Sequence, residues 1–157
     1  MASVASPSPT DVALDYAASQ LKFADLKTSQ RDALENFMLG KDVFVSLPTG
    51  YGKSLIYQAA PFCMDSMKKT DDSMAIVISP LVSLMRDQQA ALQRRGISSC
   101  YMGDNDKDGN MGNILTSKII LASPETMIGE RGRSLLLKNR HRICGIFVDE
   151  SHCVAMW

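Results

Sequence analysis

Two glycines, a lysine and a serine in the run Leu47-Pro48-Thr49-Gly50-Tyr51-Gly52-Lys53-Ser54 have the types and the spacing to hold a chain of phosphates. A glycine-rich turn exposes successive backbone N–H groups, and the opening of a following helix adds its positive dipole end. Both favour anions. Lys53 would bring a point charge to the β and γ phosphates, and the Ser54 hydroxyl would hold magnesium. Pro48, Thr49, Gly50, Tyr51 and Gly52 complete the candidate phosphate-binding run. A second group with chemistry to offer, Asp149-Glu150, follows an apolar run at 143–148. Acids at the carboxyl edge of a parallel sheet face the crevice where ligands bind. Asp149 would hold the magnesium, and Glu150 would orient and deprotonate the water that attacks the γ phosphate. The two runs together predict ATP and Mg2+ as cofactors, with Lys53, Asp149 and Glu150 catalytic and Ser54 and Asp149 as metal ligands.

Elements must exist to position these groups. Asp42-Val43-Phe44-Val45-Ser46-Leu47 is β-branched and aromatic, as in a buried parallel strand, and 53–61 reads as helix, giving the strand-loop-helix context a phosphate loop needs. Apolar periodicity predicts helices over 11–21 and 30–39, the second with Ala33, Leu34, Phe37 and Met38 on one face and Gly40 at its end. Further strands are expected at 74–79, 98–101, 119–122 and 143–148, with helices at 83–94 and 134–139 and polar loops at 66–73 and 103–113. Strands alternating with helices imply an α/β fold, a parallel sheet flanked by helices.

Composition narrows the class further. The 157 residues and 45% hydrophobic content fit one domain with its own core. Lys plus Arg and Asp plus Glu both number 17, so nucleic-acid binding would rest on a local groove and not on overall charge. Cys63, Cys100, Cys144 and Cys153 lack C-x-x-C spacing, which argues against zinc and for reduced thiols in cytoplasm or nucleus. No secretory leader or membrane-spanning stretch is visible, and residues 1–10 read as a disordered leader before a domain over 11–157. Asp104-Asn105-Asp106-Lys107-Asp108-Gly109 imitates the first half of a calcium loop, but Leu115 stands where the bidentate glutamate belongs. A solvated loop is the reading there. The basic cluster Lys138-Asn139-Arg140-His141-Arg142 reads as a solubilising turn.

Several runs carry a family resemblance. The simplest phosphate-loop pattern wants glycine where Leu47 stands, but P-T-G-x-G-K-S is similar to the variant of superfamily-two helicases. From about Leu21 to Trp157 the chain resembles the RecQ family of DNA helicases. Phe23 and Leu26-Lys27-Thr28-Ser29-Gln30 resemble the family's F-R-P-G-Q motif, in which an aromatic ring and an arginine flank adenine and glutamine reads its edge. Lys27 replaces the arginine, and lysine stacks less well on a base. Ser79-Pro80-Leu81-Val82-Ser83-Leu84-Met85-Arg86-Asp87-Gln88 is similar to S-P-L-x-S-L-M-x-D-Q, which lies along single-stranded DNA in the family. Ala122-Ser123-Pro124-Glu125 resembles the next motif, also near the DNA. Val148-Asp149-Glu150-Ser151-His152-Cys153-Val154-Ala155-Met156-Trp157 resembles V-D-E-A-H-C-I-S-x-W, with Ser151 for alanine.

The resemblance implies a RecA-like phosphate-loop domain that couples ATP hydrolysis to 3′ to 5′ unwinding of DNA. It implies that Phe23, Lys27 and Gln30 hold adenine, that Ser79, Pro80, Ser83 and Arg86 lie at the DNA, and that His152 and Trp157 link nucleotide to DNA. Stacking of a base on Trp157 would contribute about 1–3 kcal/mol. Partners implied are single-stranded and duplex DNA and a second RecA-like domain, in cis or trans, whose arginine commonly changes phosphoryl-transfer rates by on the order of 10³–10⁵. Because the match stops inside the family's aromatic loop, the chain is expected to be a front fragment, with its first domain incomplete at the C-terminus. The family's next strand lies between the phosphate-loop strand and the acidic-motif strand. Without it those two would stand about 9.6 Å apart, beyond hydrogen bonding. Two other readings share the motifs: a non-catalytic nucleotide- or DNA-binding module, and an RNA helicase of the DEAD-box type.

Overall fold

The computed structural model describes residues 6–46, 52–103, 114 and 116–149. The chain divides into two compact units, Met1–Asp71 and Asp72–Trp157.

The first unit is helical. Helix α1 spans Pro9–Gln20, and it starts where it does because the Ser8 hydroxyl accepts a hydrogen bond from the Asp11 N–H at 3.2 Å and Pro9 needs no donor in the first turn. Residues 9 and 10, expected in the leader, therefore belong to the helix. Helix α1 ends in a left-handed residue, Lys22 at φ 62°, with the Phe23 N–H donating to the Ala18 carbonyl and the Lys22 N–H to Ser19. Helix α2 spans Thr28–Met38 and closes through Gly40 at φ 82°, where the backbone demands a residue without a Cβ. Its Arg31 reaches Asp11 and Asp25 at 3.5 Å and Asp15 at 4.0 Å, pinning α2 to α1 and to the segment between them.

Helix α3 spans Lys53–Lys68 and passes through Pro61, where a stop was expected. Proline removes one rung of the helical ladder. Burial compensates: Ala59, Ala60, Phe62 and Cys63 are all inside, and α3 packs against α1, whose Ala13, Leu14, Ala17 and Ala18 are buried. The expected loop at 66–73 shortens accordingly. Residues 41–46, the described part of the expected phosphate-loop strand, form no strand and are absent from the sheet, with Phe44 81% exposed. That expectation is corrected on a physical ground. A strand is defined by its ladder, and β-branched composition without a hydrogen-bonded neighbour does not make one.

The second unit holds a four-stranded, all-parallel sheet of order β2-β3-β1-β4. Strand β1 is Met74–Ile78, β2 Ser99–Met102, β3 Ile119–Ala122 and β4 Ile143–Val148. Helix α4, Val82–Arg94, joins β1 to β2; the short α5, Pro124–Ile128, and α6, Glu130–Asn139, carry the chain from β3 to β4. Strands β1 and β3 are nearly all buried, which is why they read as continuous apolar runs and not as alternating ones. Their core includes Ile76, Ile120, Cys100, Met102 and Leu135. Strand β4 forms one edge, half-exposed, with Ile146 51% and Val148 47% accessible. The basic cluster proves partly structural, since Arg142 donates to the carbonyls of Asp72 at 3.0 Å and Ser117 at 3.4 Å, while Asn139 is buried. The calcium-like run at 104–109 lies outside the described residues.

Candidate functional site

The phosphate-loop residues are read best from Gly52 outward. Gly52 sits in the left-handed region at φ 79°, ψ 33°, and turns the chain into α3 so that Lys53 and Ser54 are the first two helical residues. No side chain caps this end among the described residues, so the first-turn N–H groups and the positive end of the dipole have no side-chain acceptor there. Lys53 and Ser54 are half-buried, and the turns that follow them, from Leu55 to Cys63, are buried. A helix held by its body with a polar opening suits an anion cradle. Pro48, Thr49, Gly50 and Tyr51 lie outside the described residues.

Three residues expected at adenine are in the same unit. Phe23 is fixed by the closing turn of α1 and is 37% exposed, as a ring available for stacking must be. Lys27 is the N-cap residue of α2 and is exposed. Gln30 differs from both: it is 2% exposed, its Oε1 accepts from the Lys27 N–H at 2.8 Å, and its Nε2 donates to the Gly52 carbonyl at 3.1 Å. The link between the adenine motif and the phosphate loop spans 22 positions of sequence, and nothing in the local pattern signals it.

In the second unit the register aligns the motif starts along one edge. Ile78 pairs with Ala122 and with Val148, so Ser79, Ser123 and Asp149 all leave the carboxyl ends of adjacent strands. The Ser79 N–H donates to the Ala122 carbonyl at 3.1 Å and the Asp149 N–H to the Ile78 carbonyl at 2.9 Å, which extends the ladder one residue past β1 and β4. Asp149 is half-buried there. Ser79 is 1% exposed, and its hydroxyl accepts from the Leu81 N–H at 3.3 Å, shaping the turn into α4. Pro80 is half-buried, whereas Ser83 and Arg86 are exposed on the first two turns of α4. The Arg86 guanidinium lies 5.9 Å from the centroid of the Tyr101 ring, a cation-π contact that orients it. Ser123, buried, caps α5 through the Thr126 N–H at 3.3 Å and bonds the Thr126 hydroxyl at 2.9 Å. Tyr101 and Thr126 carried no motif signal. Glu150, His152 and Trp157 lie outside the described residues.

Within the first unit, a left-handed glycine, an uncapped helix start and an adjacent ammonium suit an anion such as phosphate, and the Ser54 hydroxyl is a hard oxygen donor of the kind magnesium takes. In the second unit, the Asp149 carboxylate is a donor of the same kind. No cluster of three or more His, Cys, Asp or Glu side chains that could hold a metal ion occurs among the described residues.

Residues 27–157 match the model of the DEAD/DEAH box helicases. The chain belongs to that family. Among its relatives, the ATP-dependent helicase wrn-1 of Caenorhabditis elegans is 33% identical over 96% of this chain. The ATP-dependent DNA helicase RecQ of Haemophilus influenzae is 30% identical over 92%, and the ATP-dependent DNA helicase Q1 of Rattus norvegicus 31% over 87%. The chain spans 14%, 23% and 22% of those three proteins. RecQ-type helicases thus recur among the relatives of this DEAD/DEAH box domain, and its parallel sheet flanked by helices is the RecA-like architecture expected of it. None of its described helices is long and apolar enough to cross a membrane.

Proposed function

We propose that this chain is the ATP-binding part of the first motor domain of a RecQ-type helicase, which unwinds DNA 3′ to 5′ at the expense of ATP. The observation that carries the reading is the opening of α3, where the left-handed Gly52 delivers Lys53 and Ser54 as the first two residues of an uncapped helix.

When bound, ATP with Mg2+ supplies the γ-phosphoryl group whose transfer to water yields the energy for movement. Lys53 holds its ammonium against the phosphate charge, and the N–H groups that open α3 add oriented dipoles. Ser54 in the first unit would offer magnesium a hydroxyl and Asp149 in the second a carboxylate, and Glu150 would accept the proton of the attacking water. Phe23 and Lys27 flank the base, with Gln30 joining the base end to the phosphate loop. Ser83 and Arg86 meet the DNA backbone; Ser79 and Pro80 set the turn that presents them, and His152 and Trp157 report DNA to the nucleotide. Unwinding needs two domains closing around ATP in alternation, so a polypeptide of these 157 residues alone binds nucleotide without stepping. The full protein would be nuclear in a eukaryote and cytoplasmic in a bacterium.

The test is DNA-stimulated ATP hydrolysis by the longer protein that contains this domain. Single-stranded DNA should accelerate hydrolysis more than single-stranded RNA, and Lys53→Ala should abolish it. Near-normal turnover in Lys53→Ala would refute the site, and a preference for RNA would move the chain to the RNA-helicase branch of its family.

A further inference from the structure

We propose that Tyr101 is a positioning residue for the DNA backbone, holding the Arg86 guanidinium ready for a phosphate of the single strand. The proposal rests on the DNA-binding reading above and gives that contact a support that no motif marks.

The pleat of β2 decides where the ring lies. Cys100 and Met102 belong to the core shared with Leu135 of α6, so Tyr101, between them, projects to the opposite face of the sheet. Helix α4 packs against β2, an edge strand, and brings the Arg86 guanidinium to 5.9 Å from the centroid of the half-buried ring. A second neighbour fixes the ring: a Cβ on Gly103 would stand 2.8 Å from its Cε1 and 3.3 Å from its Cζ and hydroxyl oxygen. Gly103 is not among the glycines of positive φ, so space, and not backbone conformation, is what calls for a glycine there. Its carbonyl accepts from Arg131 Nη1 at 2.6 Å, which ties the end of β2 to α6. The ring therefore rests on anchored backbone.

Arg86 has the surroundings of a phosphate receptor. It is exposed, and among the described residues it pairs with no carboxylate. It follows the first turn of a 13-residue helix that has no side-chain cap and no acidic residue in that turn, where Ser83 is also exposed. The guanidinium and the positive end of the helix dipole thus act together on an anion. A free arginine side chain loses rotamer freedom when it binds a phosphate, and a ring that already holds it reduces that loss. Since the ring carries no charge, its contribution to backbone binding should pass entirely through Arg86.

The experiment uses the longer protein that contains this domain and measures its Kd for a single-stranded oligothymidylate over a range of salt, together with thermal melting. Wild type is compared with Tyr101→Leu, Tyr101→Phe, Arg86→Gln and the double variant Tyr101→Leu/Arg86→Gln. Tyr101→Leu should raise Kd about two- to fivefold, the scale of a cation-π contact at an exposed site, and Tyr101→Phe, which keeps the ring, should restore wild-type binding. Arg86→Gln should lower the slope of log Kd against log salt by about 0.7, the signature of one phosphate contact on a single strand. With Arg86→Gln in place, Tyr101→Leu should have no further effect. An equal loss from Tyr101→Leu in both backgrounds would make the tyrosine a base-stacking or purely structural residue and overturn the proposal. Wild-type affinity in Tyr101→Leu, whether or not its melting falls, would overturn it as well. Wild type that does not bind the oligonucleotide would remove the DNA-binding reading and this proposal together.

Discussion

The helical unit and the sheet unit solve the same problem, holding polar groups at the end of an element, by different means. In the sheet unit, Ser79, Ser123 and Asp149 stand where they do because three parallel strands share one register and their ladder continues a residue beyond the strands. Position there follows from the sheet as a whole. In the helical unit residues 41–46 form no strand, and position rests on single interactions: Gln30 on Gly52 at the opening of α3, the left-handed Lys22 that closes α1, and Arg31 among three carboxylates between α2 and α1. The difference implies that the sheet edge should tolerate the loss of any one polar contact, whereas the opening of α3 should respond to individual substitutions.

Substitutions in each unit can break that contrast. The largest effect is expected at Gly132, buried in α6, because a Cβ there would run into the backbone of Met127 and that backbone cannot swing aside as a side chain would. Gly132→Ala should cost about 3 kcal/mol in urea denaturation, with hydrogen exchange accelerated at β1 and β3. Undiminished protection there would show that the close approach of α5 and α6 is not what holds the sheet unit. Next is Arg31→Met, which removes the charge from a side chain that is 28% exposed and leaves Asp11, Asp15 and Asp25 to repel one another. The carboxylates are well exposed, so the loss should be about 1 kcal/mol and shrink as salt is raised. A loss insensitive to salt would mean that packing of the arginine stem dominates. The smallest effect carries the opposite sign: Lys22→Gly should stabilise by roughly 0.5–1 kcal/mol, since glycine adopts the left-handed turn after α1 without a Cβ penalty. Destabilisation would show that the lysine side chain contributes more than its backbone strain takes away.

The same contrast explains what was legible in the sequence. Met74-Ala75-Ile76-Val77-Ile78 and Ile119-Ile120-Leu121-Ala122 are apolar because both faces of those strands are covered, so composition and position agree. Val43-Phe44-Val45 has equally strand-like composition, yet whether such a run becomes a strand depends on a neighbour that composition cannot display. Pro61 misled in the other direction, because the local penalty of a proline is visible in sequence and the burial of α3 against α1 is not. Gly52, Lys53 and Ser54 stood out in the sequence because phosphate chemistry would constrain neighbours in sequence, and the structure places them at the opening of α3. The partner of Gln30 was not, because a hydrogen bond to a carbonyl 22 residues away leaves no trace in spacing. Ser79 shows a subtler gap: its motif identified the turn, but not that its hydroxyl faces inward while Ser83 and Arg86 remain exposed.

The most direct measurement of the central claim, that the opening of α3 holds the phosphates of ATP, is a calorimetric titration of this chain with magnesium and ATP, wild type beside Lys53→Ala. The account predicts saturable one-to-one binding by wild type and a loss of about 10- to 100-fold in affinity when the ammonium is removed, the scale of a charge-assisted contact. Equal affinity in the two proteins would contradict it.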